Sequence, residues 1–125
     1  DLLTTKKGQK TPYLGIAGGE TTVKVTGKGL GGRNLEVALG AVKKMKDHKR
    51  ALLITLATDG EDGPTNAAGA FVTAETALRA RKIGLDDQAY LLDNDAYHYF
   101  ESVGGLLVTG PSGTNVNDLS FIFQV

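Results

Sequence analysis

Four glycines beside an arginine form the most distinctive candidate site in this chain. Segment 27–34, GKGLGGRN, fits the spacing G-x-G-x-x-G and leads into an amphipathic segment. Between a strand and a helix, such a loop brings backbone N–H groups close to an anion at the helix N-terminus. Arg33 adds a permanently charged guanidinium, which can bind a carboxylate or phosphate through two parallel hydrogen bonds. The segment therefore indicates an anion site at Arg33, with an arginine that is merely solvated at a helix start as the alternative.

The same glycines also permit a dinucleotide site. Gly27, Gly29 and Gly32 would be the fingerprint, and Asp59 would take the place of the ribose-binding carboxylate. Two features count against this alternative. Asp59 follows Gly32 by 27 residues, where roughly 20 are expected, and the preceding run alternates polar and apolar residues where a buried strand is needed. A nicotinamide-dependent oxidoreductase nevertheless stays an alternative.

Two polar loops, 58–69 and 110–118, follow strand-like runs. Their candidate chemical residues are Asp59, Glu61, Asp62, Asn115 and Asp118. Asp59, Glu61 and Asp62 are close enough in sequence to share Mg²⁺, although their spacing is not that of a calcium loop. Turn residues that bond to their own backbone explain the same pattern. Metal ligands therefore stay unassigned.

Strands and helices must position these loops. Strand-like patterns occur at 13–17, 21–26, 51–57, 70–73, 106–108 and 119–123, and helical spacing at 34–45, 75–83, 86–92 and 96–103. We expect Asp93-Asn94-Asp95 to cap the last helix. The run 51–57 is nearly continuously apolar, which is typical of a central strand covered on both faces. The pattern predicts an α/β fold: a three-layer α/β/α arrangement with a mixed, mostly parallel sheet and ligand loops at its carboxyl edge.

Composition excludes several classes of function. The chain has 125 residues, with 14 Lys plus Arg against 14 Asp plus Glu, so no excess positive charge favours nucleic acid or an anionic membrane. No apolar run approaches the roughly 20 residues of a membrane span. Cysteine is absent, which fits a cytoplasmic protein. Residues 1–12 are polar and read as a connector cut from a longer protein, and 13–125 as one domain.

Six motifs, taken in order, resemble one family: the C-terminal MOFRL domain of type II glycerate 2-kinases, whose members are also labelled hydroxypyruvate reductases. The resemblance covers nearly the whole chain. The motifs are GGETTV (18–23), GLGGRN (29–34), TDGEDGPT (58–65), AAGA (67–70), DND (93–95) and TGPSGTNVND (109–118). Asn66 and Ala96 depart from the Asp and Ser that the family pattern leads us to expect.

The resemblance implies a two-domain enzyme that transfers phosphate from ATP, with Mg²⁺, to the 2-hydroxyl of D-glycerate. The reaction would occur in a cleft between a Rossmann-like N-terminal domain and this one, so we expect the isolated chain to be inactive. Arg33 would be the catalytic residue. Substrate-binding residues would be Glu20, Asn34, Asp59, Asp62, Asn115 and Asp118, and cofactor-binding residues Gly29, Gly31 and Gly32. The family's second label, together with the G-x-G-x-x-G spacing and Asp59, keeps a nicotinamide-dependent hydroxypyruvate reductase as an alternative. Because the chain shows no self-contained nucleophile and base, a non-catalytic interaction domain also stays open.

Overall fold

The computed structural model describes residues 11–125, in which five strands and four helices occur. The strands are β1 (Tyr13–Gly19), β2 (Ala51–Ala57), β3 (Gly69–Thr73), β4 (Leu106–Leu107) and β5 (Asp118–Gln124). The helices are α1 (Arg33–Met45), α2 (Ala74–Lys82), α3 (Asp87–Leu92) and α4 (Ala96–Val103). Most of the predicted connector lies outside the described residues. Within them, no helix is both long and apolar enough to cross a bilayer.

The sheet is antiparallel throughout, which corrects the prediction of a mostly parallel sheet. Its strand order is β1-β5-β2-β3-β4, and every neighbouring pair is antiparallel. The connection from β1 through α1 to β2 is long enough to join two neighbouring parallel strands. However, β5 lies between β1 and β2, so these two strands run in the same direction without touching. The order of strands in space, which local patterns do not encode, decides the hydrogen-bonding type.

The helices pack on one face of the sheet. Residues from all four helices share a core cluster with Leu53, Ala70 and Ile122 of the sheet. Leu52 and Ile54 alternate to the opposite face, which is only partly buried. Residues 11–125 therefore form two layers, and the third layer expected from the apolar run 51–57 is not found among them.

Helix α1 carries Arg33 and Asn34 to the sheet edge. Its buried apolar residues recur at intervals of three and four: Leu35, Ala38, Leu39, Val42 and Met45. Full burial of one leucine or valine side chain stabilises the fold by roughly 1.5–3 kcal/mol, so tertiary packing fixes the helix. Glu36 in the first turn and Lys43 in the last complement the helix dipole. The predicted helix is confirmed and begins one residue earlier.

Segment 21–26 is the main local error of the sequence reading. Val23 and Val25 alternate with polar residues as in a strand, but residues 20–32 contain no strand or helix. The N–H groups of Thr26 and Gly27 donate to the side chain of Asn94 instead of to a neighbouring strand. A side-chain partner from a distant part of the chain thus replaces the ladder that the alternation predicted.

Candidate functional site

Three loops meet at one edge of the sheet because of the strand directions. Strands β1 and β2 end at this edge and β5 begins there, with Gly19 and Ala57 both registered opposite Asp118. The loop after β1 leads to Arg33, the loop after β2 carries Asp59 and Asp62, and the loop before β5 carries Asn115. The sequence reading placed these loops at a common edge correctly, although it assumed a parallel sheet.

Arg33 is held by Asp118 through a two-point contact. Nε of Arg33 donates to Oδ2 at 2.5 Å, and Nη2 donates to Oδ1 at 2.8 Å. Burial acts to raise the pKa of Asp118, but hydrogen bonds from Arg33 and Asn34, with the charge of Arg33, hold this pKa below its ordinary value. The hydrogen bond to Asp118 likewise raises the pKa of Arg33. The pair orients the guanidinium rigidly.

Asp62 caps the N-terminus of α1 from outside the helix. Its side chain is fully buried. Oδ1 accepts from the backbone N–H of Asn34 at 3.1 Å, and Oδ2 accepts from the N–H of Leu35 at 2.8 Å. Burial raises the pKa of Asp62, while these N–H groups act in the opposite direction. Asp62 therefore satisfies backbone donors that a helix start otherwise leaves unpaired.

Asn34 connects the two carboxylates. Its Nδ2 donates to Oδ1 of Asp62 at 3.1 Å and to Oδ1 of Asp118 at 3.0 Å. The backbone carbonyl of Asn34 accepts from the hydroxyl of Thr55 in β2 at 2.8 Å. Asn34, Thr55, Asp62 and Asp118 are all buried. Together with Arg33 they form what we call the buried cluster, in which every carboxylate oxygen already has a partner.

The outer side of Arg33 stays open. Its side chain is 27% exposed, and within residues 11–125 its Nη1 has no hydrogen-bond acceptor. The carboxylate of Glu20, in the loop after β1, lies close enough to contribute to the raised pKa of Arg33. The backbone N–H groups of Gly31 and Gly32 also find no acceptor in the described part of the chain. Within residues 11–125, Nη1 of Arg33 and the amides of Gly31 and Gly32, which directly precede it in the chain, therefore have no acceptor.

The first four residues of segment 27–34, here called the glycine segment, are already hydrogen-bonded within the chain. The N–H groups of Gly27, Lys28, Gly29 and Leu30 all donate to residues 93–95, at 2.8–3.0 Å. A Cβ at Gly27 or Gly29 would collide with the backbone of that segment, which explains these two glycines. The amides of Gly29 and Leu30 are therefore already used within the chain, whereas those of Gly31 and Gly32 are not. Cofactor binding by Gly29, Gly31 and Gly32 stays a prediction.

Asp59 and Asn115 form a second group, here called the rim pair. Nδ2 of Asn115 lies 3.5 Å from Oδ2 of Asp59, which is long for a hydrogen bond. Asn115 is exposed and Asp59 is partly exposed. Their loops are joined more firmly by Thr58, whose hydroxyl donates to the carbonyl of Asn117 and accepts from the N–H of Val116. The backbone of the two loops is fixed, but the side chains of Asp59 and Asn115 stay accessible.

The donor set does not fit a resident metal ion. Among the described residues, no three or more His, Cys, Asp or Glu side chains are grouped as metal ligands. The suggested trio does not converge, because Asp62 is buried under α1 whereas Glu61 is exposed. Both oxygens of Asp62 and both oxygens of Asp118 already accept from N–H donors. These carboxylates are buried and already serve Arg33, Asn34 and Leu35 as acceptors.

Sequence reasoning missed the role of residues 93–95. They were expected to cap α4, and Asp95 does stand at its N-cap position, but its side chain makes no capping hydrogen bond. The side chains instead bind the backbone of the glycine segment. The signal available in the sequence was the run of three consecutive short polar residues, Asp93, Asn94 and Asp95, whose side chains can each accept a hydrogen bond from a backbone N–H group. Their partners lie about 65 residues away and are not encoded locally.

These features are shared with a known family. The model of the MOFRL family matches residues 13–118, a span that contains β1, every loop at the site edge and the first residue of β5. The chain belongs to the MOFRL family.

Relatives of known name are consistent with this membership. A D-glycerate 2-kinase from Thermotoga maritima is 48% identical over 110 residues, covering 88% of this chain and 26% of the relative. A protein from Agrobacterium vitis with a hydroxypyruvate reductase name is 41% identical over 113 residues, covering 89% and 26%. The crystal structure of a glycerate kinase from T. maritima superposes with a TM-score of 0.92 at 45% identity, covering 97% of this chain and 29% of that one. The chain thus spans about a quarter of the length of its relatives.

Proposed function

We propose that this chain is the C-terminal domain of an ATP-dependent glycerate 2-kinase, which phosphorylates the 2-hydroxyl of D-glycerate in a cleft facing an N-terminal domain. The observation that carries the proposal is the state of Arg33. One edge of its guanidinium is fixed by Asp118, and the other edge has no acceptor among the described residues and is part of a side chain that is 27% exposed. The glycerate kinase names of the relatives supply the substrate.

Arg33 suits the requirements of phosphoryl transfer. The transferred group carries charge spread over three oxygens, and catalysis depends mainly on positioning and on neutralising that charge. A guanidinium that is already oriented needs little reorganisation when the anion arrives. Arg33 would bind either the glycerate carboxylate or the moving phosphoryl group, and the amides of Gly31 and Gly32 would donate to the same anion.

The other candidate residues divide by accessibility. Glu20, Asp59 and Asn115 are at least partly exposed and would contact glycerate, orienting its hydroxyl groups. Asn34, Asp62 and Asp118 would act through Arg33 and α1, because the amide nitrogen of Asn34 and the oxygens of both carboxylates already have partners. ATP and Mg²⁺ would be bound by the N-terminal domain, since the described residues do not offer a fitting set of oxygen ligands.

Substitution of Arg33 in the full-length enzyme tests this proposal. Arg33→Ala should lower kcat/KM for glycerate by at least ~10²-fold, the scale of losing one charge-stabilising contact. Arg79→Ala is a matched control, because Arg79 pairs with Glu75 on the exposed side of α2 and should change kcat/KM less than about twofold. An unchanged kcat/KM in Arg33→Ala would remove Arg33 from the mechanism. Turnover by the isolated chain comparable to that of the full-length enzyme would contradict the two-domain arrangement.

The name of the A. vitis relative favours one alternative, a nicotinamide-dependent hydroxypyruvate reductase. The geometry weighs against it, because the amides of Gly27 to Leu30 donate within the chain where a dinucleotide fingerprint would present them to a pyrophosphate. Titration of the full-length protein with NADH, followed by nicotinamide fluorescence, distinguishes the two. Saturable binding with hydroxypyruvate-dependent oxidation of NADH would favour the reductase.

A further inference from the structure

The turn between α3 and α4 binds the backbone N–H groups of five consecutive residues, Thr26 and the first four residues of the glycine segment. Oδ1 of Asp93 accepts from the N–H of Lys28, and Oδ1 of Asp95 accepts from that of Leu30 at 2.9 Å. The carbonyl of Asp93 accepts from the N–H of Gly29 at 2.8 Å. Asn94 accounts for the remaining two amides. Since residues 20–32 contain no strand or helix, these bonds, with the one from the N–H of Tyr97 to the carbonyl of Leu30, hold the path of the chain toward Arg33.

Asn94 uses both ends of its amide. Its side-chain Oδ1 accepts from the N–H groups of Thr26 and Gly27, each at 2.8 Å. Nδ2 donates to Oε1 of Glu36 at 3.0 Å and lies 3.4 Å from the carbonyl of Lys24. Asn94 is 7% exposed and has φ of 56°, a left-handed conformation that asparagine tolerates better than most residues. One buried amide therefore joins the glycine segment to the first turn of α1.

Two sets of hydrogen bonds consequently position the proposed anion site, one made by carboxylates at the sheet edge and one made by Asn94. Asp62 and Asp118 hold Asn34 and Arg33 from the sheet. Asn94 holds the preceding loop and, through Glu36, the outer face of the same helical turn. Between these attachments lie Gly31 and Gly32, whose amides are free. A shift of the loop would move these two amides relative to the guanidinium of Arg33.

We propose that Asn94 is a positioning residue for the substrate anion. It sets the distance between the amides of Gly31 and Gly32 and the guanidinium of Arg33, without itself touching the substrate. This inference rests on the proposed glycerate kinase function. It adds that the turn 93–95, which hydrogen-bonds to residues 26–30 rather than to Arg33 itself, determines the affinity for glycerate.

Asn94→Asp in the full-length enzyme is the central test. The variant keeps the acceptor for Thr26 and Gly27 but replaces the donor to Glu36 with a second carboxylate oxygen, so that two negative groups face each other. A displacement of about 1 Å at a reacting centre can cost on the order of 10²-fold in rate. We expect kcat to fall and KM for glycerate to rise, with a combined loss of roughly 10- to 100-fold and an unchanged KM for ATP. A smaller folded fraction alone would lower kcat and leave both KM values unchanged.

A second substitution tests the specific bond. In Asn94→Asp combined with Glu36→Gln, the glutamine amide can donate to the new carboxylate and restore the bond with reversed polarity. KM for glycerate should return to within about threefold of wild type, because the pair is again matched. Glu36→Ala removes the bond from the helix side and should also raise KM for glycerate. Gln88→Glu, the same amide-to-carboxylate change on an exposed residue of α3, is the control and should leave KM unchanged.

Amide hydrogen exchange gives a readout that does not depend on the reaction. Exchange at Thr26 and Gly27 should accelerate in Asn94→Asp and recover in the double variant. Unchanged exchange at both residues, or an unchanged KM for glycerate in Asn94→Asp and Glu36→Ala, would overturn the inference. If the wild-type enzyme does not phosphorylate glycerate, the proposed function fails instead, and exchange still decides whether Asn94 anchors the loop.

Discussion

The buried cluster and the rim pair lie at the same edge of the sheet and contain similar chemical groups, yet they differ in what their atoms are free to do. In the buried cluster, the oxygens of Asp62 and Asp118 accept from N–H donors and are shielded from solvent. In the rim pair, Asp59 and Asn115 touch through one long contact and are accessible. Carboxylates that the sequence presents as equivalent thus divide into groups that hold geometry and groups that can meet a ligand.

The largest expected effect on stability is in the buried cluster. Asp62→Ala would leave the N–H groups of Asn34 and Leu35 buried without acceptors, and should lower the free energy of unfolding by roughly 3 kcal/mol. Denaturation by urea measures this. The rim substitution Asp59→Ala is the matched control, and an equal loss in both variants would erase the distinction between the two groups.

The backbone beneath the rim pair is expected to be nearly as sensitive. Gly60 has φ of 95°, and a Cβ there would collide with the carbonyl of Gly110. Gly60→Ala should therefore destabilise by roughly 2–3 kcal/mol. Gly110 also has a left-handed φ, of 73°, but open space around it, so Gly110→Ala should cost only about 1 kcal/mol. Equal thermal stabilities of the two variants would show that the loops are not held together as tightly as the rim contacts indicate.

The pH dependence of stability should separate the two buried carboxylates. Asp118 has a pKa below its ordinary value of 3.8, so its contribution is complete above about pH 4 and is lost as the pH falls through its folded-state pKa. Asp62 has a raised pKa, so its contribution has the opposite sign and declines as the pH rises from 3.8 through its folded-state pKa. Urea denaturation from acid to neutral pH should show that Asp118→Asn flattens the lower part of the profile and Asp62→Asn the upper part. Parallel profiles would contradict this assignment.

The smallest effect on stability is expected at the rim. Asn115→Ala removes an exposed side chain with a long contact to Asp59, and should change the free energy of unfolding by less than about 0.5 kcal/mol. If the rim pair contacts glycerate as proposed, kcat/KM should nevertheless fall by roughly tenfold or more. Steady-state kinetics beside a denaturation curve decide this. A variant with normal kinetics would place Asn115 outside the substrate site.

Much of the architecture was predictable from local pattern. Apolar residues spaced by three and four positions predicted α1, because that spacing places them on one buried face of a helix. The apolar run 51–57 predicted β2, because it is too short for a helix and is typical of a buried strand. The predicted strand at 21–26 was wrong, since Thr26 and Lys24 hydrogen-bond with the side chain of Asn94, 68 and 70 positions away. The mostly parallel sheet was wrong because β5, from the end of the chain, enters between β1 and β2.

The sequence by itself determined most of the segments that form helices and strands, which loops carry carboxylates, and the family to which the chain belongs. Those properties depend on residue type and on spacing within a few turns or strands. Only the tertiary structure decided the direction of neighbouring strands and the partner of each polar group. It bound Arg33 to Asp118 across 85 positions and left Asn115 at the surface. The reason is physical: a charged or amide group acquires its role from the donors, acceptors and solvent around it, and the fold brings these from distant parts of the chain.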